Sequence, residues 1–395
     1  MLRHALGAAS FCLSLLIPPG LRSAWGQDAV PATAPAPPPP VALFDFESDA
    51  LLPLWAAADP AATLAITADP VNVAEGKGAL EFTYEARPGV FQQISTGALG
   101  AASANCLTMR LKATSPTSLS VGVAEQNGAR YQGLLWIDAD EWTDVSVPLG
   151  DLILAQDAQD DDAQLDPDEV SGFFLADLAN LPGEVGQALG RKEGAQRIWL
   201  DSVGLTTTPQ PRSRARVEPQ EGGRLVVLDD FESPVLWGLP VRRAGLQRVP
   251  GAPKAAGQRA LEISYTLGAG RWVGYVLAPP GQLDLSGATQ LSLWAKTDLN
   301  ARLVFALEER DGTKYDTAVK VPPDGKWHPV LAPFEAFAPF DPAADENGVL
   351  DAQQIHRAII LIDTFDADVR PGGLGSVAID DLGLIVPAAP PQGQP

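Results

Sequence analysis

From residue 41 to residue 386 apolar and polar positions recur with a period of two. "ALEISYTL" (260–267) and "TQLSLWAKT" (289–297) alternate, and "ARLVFALEE" (301–309) is a nearly continuous apolar run. A period of two puts successive side chains on opposite faces, as in a strand. Gly, Asp, Asn and Pro punctuate these runs, which predicts short antiparallel strands stacked as a sandwich. "QNGA" (126–129) and "RDGT" (310–313) read as hairpin turns. One short helix is expected in each half. In "LDPDEV" Asp166 is the N-cap, Pro167 the first helical residue and Glu169 the third. In "LDAQQI" Asp351 and Gln354 take the same roles. These helices would lead into the strands "SGFFLADL" (171–178) and "HRAIILIDTF" (356–365).

The pattern occurs twice. "GKGALEFTY" (76–84) answers "GQRALEISY" (257–265), and "SLSVGVAEQNGARY" (118–131) answers "RLVFALEERDGTKY" (302–315). "EWTDVSVPLGDL" (141–152) answers "KWHPVLAPFEAF" (326–337), and "RIWLDSVGL" (197–205) answers "VAIDDLGL" (377–384). The order is kept and the offset stays near 185 residues, so the chain holds two copies of one domain. Two copies of this length are tandem domains and not a solenoid. Pro-rich stretches set the boundaries: a Pro/Ala linker at 27–40, jelly-roll domain 1 at 41–207, a linker at 208–223, jelly-roll domain 2 at 224–386 and a tail at 387–395. Trp142 and Trp327 recur before an apolar strand and are expected in the core. The expected fold class is all-β, two tandem jelly-roll sandwiches.

Composition narrows the setting. Arg3 and His4, a short apolar stretch and then "SAWGQ" fit a secretory signal over residues 1–26, too short for a membrane span of about 20 residues. A secreted or periplasmic protein follows, with no transmembrane segment after cleavage. Of the two cysteines only Cys106 would remain, so no internal disulfide forms. Only His328 and His356 would remain, which argues against a Ser-His-Asp triad, a His-rich zinc site and enzymatic chemistry. A net charge of -21 disfavours nucleic acid and anionic membranes as partners and suits cations.

One acidic phrase is repeated: "DFE" at Asp45–Glu47 and again at Asp230–Glu232. In a regular strand the two acids share a face, with Phe46 or Phe231 opposite. Near the end of each copy another acid, Asp201 or Asp380, would share its face with apolar residues, Val203 and Leu205 or Leu382 and Leu384. A carboxylate in such a place needs hydrogen bonds or a cation, and calcium suits oxygen donors. First and last strands often lie side by side, so one ion could clasp both.

"DDFES", "ALEISY", "LSLWAKTD", "KWHPVLAPFEAF" and "VAIDDLGL" together resemble the galactose-binding-like jelly rolls of carbohydrate-binding modules. The pattern is similar to family 11-type modules and to the domain of complex I intermediate-associated proteins. The resemblance covers most of 224–386 and, more faintly, 41–207. It implies a β-sandwich with a structural calcium ion, held by Asp230, Glu232 and Asp380 and, through the repeat, by Asp45, Glu47 and Asp201. It also implies a non-catalytic binding face. The first copy departs, with Ser202 in place of Asp381 and "RLKATSP" in place of "LWAKTD".

Sugars present flat C–H faces that aromatic rings can cover. The ligand candidates are Arg271, Trp272 and Tyr275 of "GRWVGY" and Tyr315 of the hairpin, with Phe91, Gln93, Tyr131 and Trp136 in the first copy. Trp272 and Tyr275 differ in parity and share a face only if Gly274 marks a bulge. The leading expectation is an exported non-catalytic protein that binds carbohydrate or polysaccharide. The alternative is a structural or interaction subunit docking on a cell-envelope protein complex.

Overall fold

The computed structural model describes residues 41–97, 104–155, 158–160, 164–178, 192–207, 217–220, 222–236, 238–241, 244–253, 257–266, 272–277, 287–341, 348–363 and 374–388. The expected signal, the Pro/Ala segment and Arg271 lie outside these residues. No helix among the described residues is long and apolar enough to cross a membrane.

The first half contains β1 (Val41–Phe44), β2 (Trp55–Ala57), β3 (Thr63–Thr67), β4 (Ala79–Ala86), β5 (Gln92–Thr96), β6 (Cys106–Ala113), β7 (Thr117–Glu125), β8 (Arg130–Ile137), β9 (Thr143–Pro148), β10 (Ile153–Leu154), β11 (Val170–Asp177) and β12 (Gly194–Thr206). The second contains β13 (Val217–Gln220), β14 (Gly223–Asp229), β15 (Val235–Leu236), β16 (Gly238–Val241), β17 (Gly245–Pro250), β18 (Arg259–Thr266), β19 (Trp272–Leu277), β20 (Gln290–Lys296), β21 (Ala301–Glu309), β22 (Lys314–Val321), β23 (His328–Pro333), β24 (Ala338–Pro339), β25 (Ile355–Asp363) and β26 (Leu374–Pro387).

These strands form two β-sandwiches with one topology. In the first, a sheet β3–β4–β12–β6–β9 with β1 also on β12 faces a sheet β10–β8–β7–β11–β5–β2. In the second, β17, β18, β14, β20 and β23 gather around β26 in the same arrangement, β13 extends β14, and the other sheet runs β16–β19–β25–β21–β22–β24. The ladders are antiparallel. Alternation explains the core: Leu119, Val121 and Val123 of β7 and Leu303, Phe305 and Leu307 of β21 are each buried on the inner face. Burying one such side chain contributes about 1.5–3 kcal/mol.

The hairpins form as expected. Gly128 and Gly312 take φ 91° and 93°, while Asn127 and Asp311 accept from the amides of Ala129 (2.7 Å) and Thr313 (2.8 Å). The expected helices do not develop. Pro167–Glu169 is a single 3-10 turn whose Asp166 side chain makes no cap bond, and residues 351–354 form one turn closed by the Gln354 amide on the Asp351 carbonyl. In both copies the next strand, starting at Val170 or Ile355, begins before a second turn could form. Trp142 and Trp327 are half-buried and not in the core, and the Lys296 ammonium lies 5.0 Å from the Trp327 ring centroid.

β19 and β25 keep one register from Trp272 opposite Asp363 to Leu277 opposite Ala358, so no bulge occurs at Gly274. A Cβ at Gly274 would sit 2.0 Å from the Ile360 carbonyl oxygen. Gly274→Val is therefore expected to cost about 1–3 kcal/mol or more through overpacking, seen as a lower thermal midpoint. An unchanged midpoint would contradict this packing.

Candidate functional site

The repeated acidic phrase builds a corner in each sandwich. β1 ends at Phe44 and β14 at Asp229, so the acids lie past the strand and its two-residue alternation does not apply. Phe46 and Phe231 each take φ 53° and turn their rings into the core. Opposite them Ser202 and Asp381 take φ 50° and 48°. A non-glycine residue in this region costs on the order of 1–2 kcal/mol, so the surroundings must hold it there. Glu47 Oε1 accepts from the amides of Lys77 (2.7 Å) and Gly78 (3.3 Å). Glu232 Oε1 accepts from those of Gln258 (2.6 Å) and Arg259 (2.9 Å). Asp45 and Asp230 each cap their own turn, accepting from the amide two residues on at 3.2 Å.

The left-handed residues of the last strands are β-bulges. The ladders of β12 and β26 skip register between Asp201 and Gly204 and around Asp380 and Asp381. Core positions accordingly run Ile198, Leu200, then Val203, Leu205, and Val377, Ile379, then Leu382, Leu384. The expectation that Asp201 and Asp380 share a face with the apolar pairs that follow them is corrected: the extra residue reverses the alternation.

The two corners differ in electrostatics. In the first, Asp201 is fully buried, and its Oδ2 accepts from the amides of Ala74 (2.9 Å) and Glu75 (3.0 Å). Its Oδ1 accepts from Ser202 at 2.7 Å. Burial raises the Asp201 pKa, and these hydrogen bonds oppose the rise. Asp45 and Glu47 face solvent, so the first copy does not bury its three acids together. In the second, Asp380 is 3 % exposed and its Oδ1 accepts from the Asp381 amide at 2.7 Å. Its pKa is pushed up to about 8, first by burial and then by the carboxylates of Asp381, Glu232 and Asp230, against the Asp381 amide. Oxygen-only, anionic donors of this kind fit calcium. Among the described residues, however, no three acid, imidazole or thiol groups are gathered into a metal-holding set.

The aromatic candidates separate. Tyr275 and Tyr315 are fully buried, and Tyr275 meets Phe231 edge-on at 6.2 Å. The expectation of a sugar-stacking role for these two is corrected: both stand inside the sandwich. Their parity with Val273 and Leu277, and with Val319 and Val321, is the sequence signal that could have shown it. Trp272 lies on the opposite, outer face with Val304 and Leu361. In the first copy Phe91 is exposed. Tyr131 is buried, with its hydroxyl donating to Asp160 at 2.6 Å, and Trp136 Nε1 donates to Asp138 at 3.2 Å.

Two polar clusters escaped sequence reading. Asp177 takes a core position in β11 and is reached by the Tyr84 hydroxyl across the sandwich, by Thr117 Oγ1 at 3.2 Å and by Lys192 Nζ at 3.9 Å. Burial pushes the Lys192 pKa down to about 8, against the pull of Asp177. The second cluster, around Arg248 and Arg259, joins the two halves.

No protein-family model matches the chain, and no curated protein matches it either. Solved structures similar to it include the family 11 carbohydrate-binding module of the cellulosomal cellulase Lic26A-Cel5E of Clostridium thermocellum. That module is 22% identical over 43% of this chain and 98% of its own, with a TM-score of 0.32. The tandem CBM22-1-CBM22-2 domain of Paenibacillus barcinonensis Xyn10C is 14% identical over 91% of this chain and 100% of its own, also with a TM-score of 0.32.

A prediction follows from the raised Asp380 pKa. The folded state holds a proton that the unfolded state has lost between about pH 4 and pH 8. This group's contribution to stability is therefore present at low pH and disappears as pH rises through the folded pKa. In chelator, Asp380→Asn should flatten that loss and raise the thermal midpoint at pH 8–9 by several degrees, each kcal/mol being worth about 2–4 °C. A lower midpoint for the variant under those conditions would contradict the assignment.

Proposed function

We propose that the chain is an exported, non-catalytic binding protein whose second sandwich takes up a polysaccharide on the outer face of its six-stranded sheet. The observation that carries this reading is the make-up of that face. Leu361 lies across from Val304, and Val304 from Ala318, with Trp272 packed against them; Trp272, Val304 and Leu361 are only 6–9 % exposed, so the apolar floor is narrow. Along the flanks stand Arg302, Asp316, Glu308 and Arg357, the last two paired at 3.6 Å. An apolar floor with a few fixed polar groups is the make-up of a small-ligand surface. Here the floor would meet sugar C–H groups, while carboxylates and guanidinium groups take the hydroxyls. Burial raises the Asp316 pKa and the Arg302 charge opposes the rise, so this carboxyl sits partly out of water beside the floor.

The absence of chemistry in this reading rests on the sequence, where only two histidines follow the expected signal. Calcium belongs to the same proposal. An ion at Asp230, Glu232 and Asp380 would offset the charge crowded around Asp380 and hold the corner.

A panel of neutral and acidic polysaccharides, screened with calcium present, tests the binding. At least one should bind, and Trp272→Ala and Asp316→Asn should each weaken it about tenfold, or about 1.4 kcal/mol. Binding unaffected by both substitutions places the site elsewhere; no binding to any glycan sinks the reading. For calcium, saturation at 100 times the dissociation constant should add about 2.7 kcal/mol. The resulting rise in thermal midpoint should vanish in Glu232→Gln. A midpoint indifferent to chelator removes calcium from the account.

A further inference from the structure

The second half of the chain supplies a strand to the first. β15 pairs with β8, Val235 opposite Leu135 and Leu236 opposite Leu134. The Trp136 amide donates to the Pro234 carbonyl at 2.8 Å. Val235 and Leu236 are buried there, and the apolar core runs without a break from one sandwich into the other. Beside this strand two arginines of the second sandwich face acids of the first. Arg259 reaches Asp138 at 3.2 Å and Glu141 at 3.5 Å. Arg248, 8 % exposed, donates to the carbonyls of Phe231 (2.9 Å) and Glu232 (2.6 Å); burial lowers its pKa, and among the charges Asp138 opposes that most strongly. Arg259 also ties the seam to the acid corner, because its backbone amide holds Glu232 Oε1.

The internal repeat shows that this contact is specified. Strand register places Ile66 where the second copy has Arg248, and the shared amide pair places Gly78 where it has Arg259. At the receiving edge, Pro322 and Lys326 of the second copy stand where the first has Asp138 and Glu141. The acceptor acids occur only in the first sandwich and the docking arginines only in the second. The matching edge of β22 is paired with β24 only at Tyr315 and Asp316, and it then carries Lys320, Pro322 and Pro323. Lysine and proline are the residues that keep a free edge from recruiting another strand.

We propose that the β8 edge with Asp138 and Glu141 is a dedicated docking surface for the Pro234–Leu236 segment of the second sandwich and the Arg248 and Arg259 side chains beside it. The contact locks the two domains into one body and, being one-way, ends the array at two units. The strand and its apolar pair supply adhesion. The charges select the partner, since exposed ion pairs alone are worth little.

The test uses the full chain with a protease site inserted within residues 208–216, cleaved after folding. At low salt the two halves should co-elute in gel filtration with one copy of each. Arg259→Glu should separate them, with each half keeping its circular dichroism spectrum. Arg259→Lys should retain co-elution, and Arg259→Glu combined with Glu141→Arg should recover it. At about 1 M salt, where the screening length falls to about 3 Å, the wild-type halves should elute more loosely associated. Separation of the wild-type halves at low salt would overturn the proposal. So would co-elution that ignores charge reversal, or assemblies larger than one of each half.

Discussion

The last strand of each sandwich carries two partners end to end on one edge, and the break between them governs the rest. β26 pairs with β18 up to Ile379 and with β14 from Leu382 onward, while β20 runs along its other side. At the break the strand must gain a residue, so a bulge forms with one residue in the left-handed region. The entering chain must also leave its sheet there, and it does so with a second left-handed residue whose phenylalanine ring fills the core. β12 repeats the arrangement with β4 and β1. The repeated phrase is thus first a device of backbone geometry. Its carboxylates hold amides that the corner would otherwise leave without partners.

Among the described residues, the two copies surround the buried acid differently. The first folds the Ala74–Glu75 amides over Asp201, so the charge is met from within. Among the described residues of the second, Asp380 accepts from the Asp381 amide; burial lifts its pKa, and the nearby carboxylates of Asp381, Glu232 and Asp230 add to the rise. Other exchanges follow the same line. Gly78 stands where the second copy has Arg259, and Asp138 where it has Pro322. The facing surfaces of the two copies differ at these positions, while the sheets behind them share one topology.

Much of the fold was legible because duplication prints the same strand pattern twice, and Asn-Gly and Asp-Gly mark the same hairpin in both copies. The corners were located but their geometry was not. A bulge at Ser202 or Asp381 leaves no mark in composition, since neither residue is glycine, and it reverses every inside–outside assignment beyond it. Tyr275 and Tyr315 are a different case: a tyrosine suits sugar on either face of a strand, and only their alternation with Val273 and Val319 points them inward. The contacts of Asp177 with Tyr84 and of Arg259 with Asp138 join residues about a hundred positions apart. Only the assembled sheets bring those partners within reach.

The second sandwich buries the Asp380 carboxyl close to the carboxylates of Asp381, Glu232 and Asp230. The direct measurement is a carbon-13 NMR titration of the Asp380 carboxyl in the full chain, with chelator and then with calcium. In chelator the signal should titrate near the raised value of about 8, and with calcium it should stay ionised through that range. Titration in the ordinary carboxylate range without any cation would contradict it.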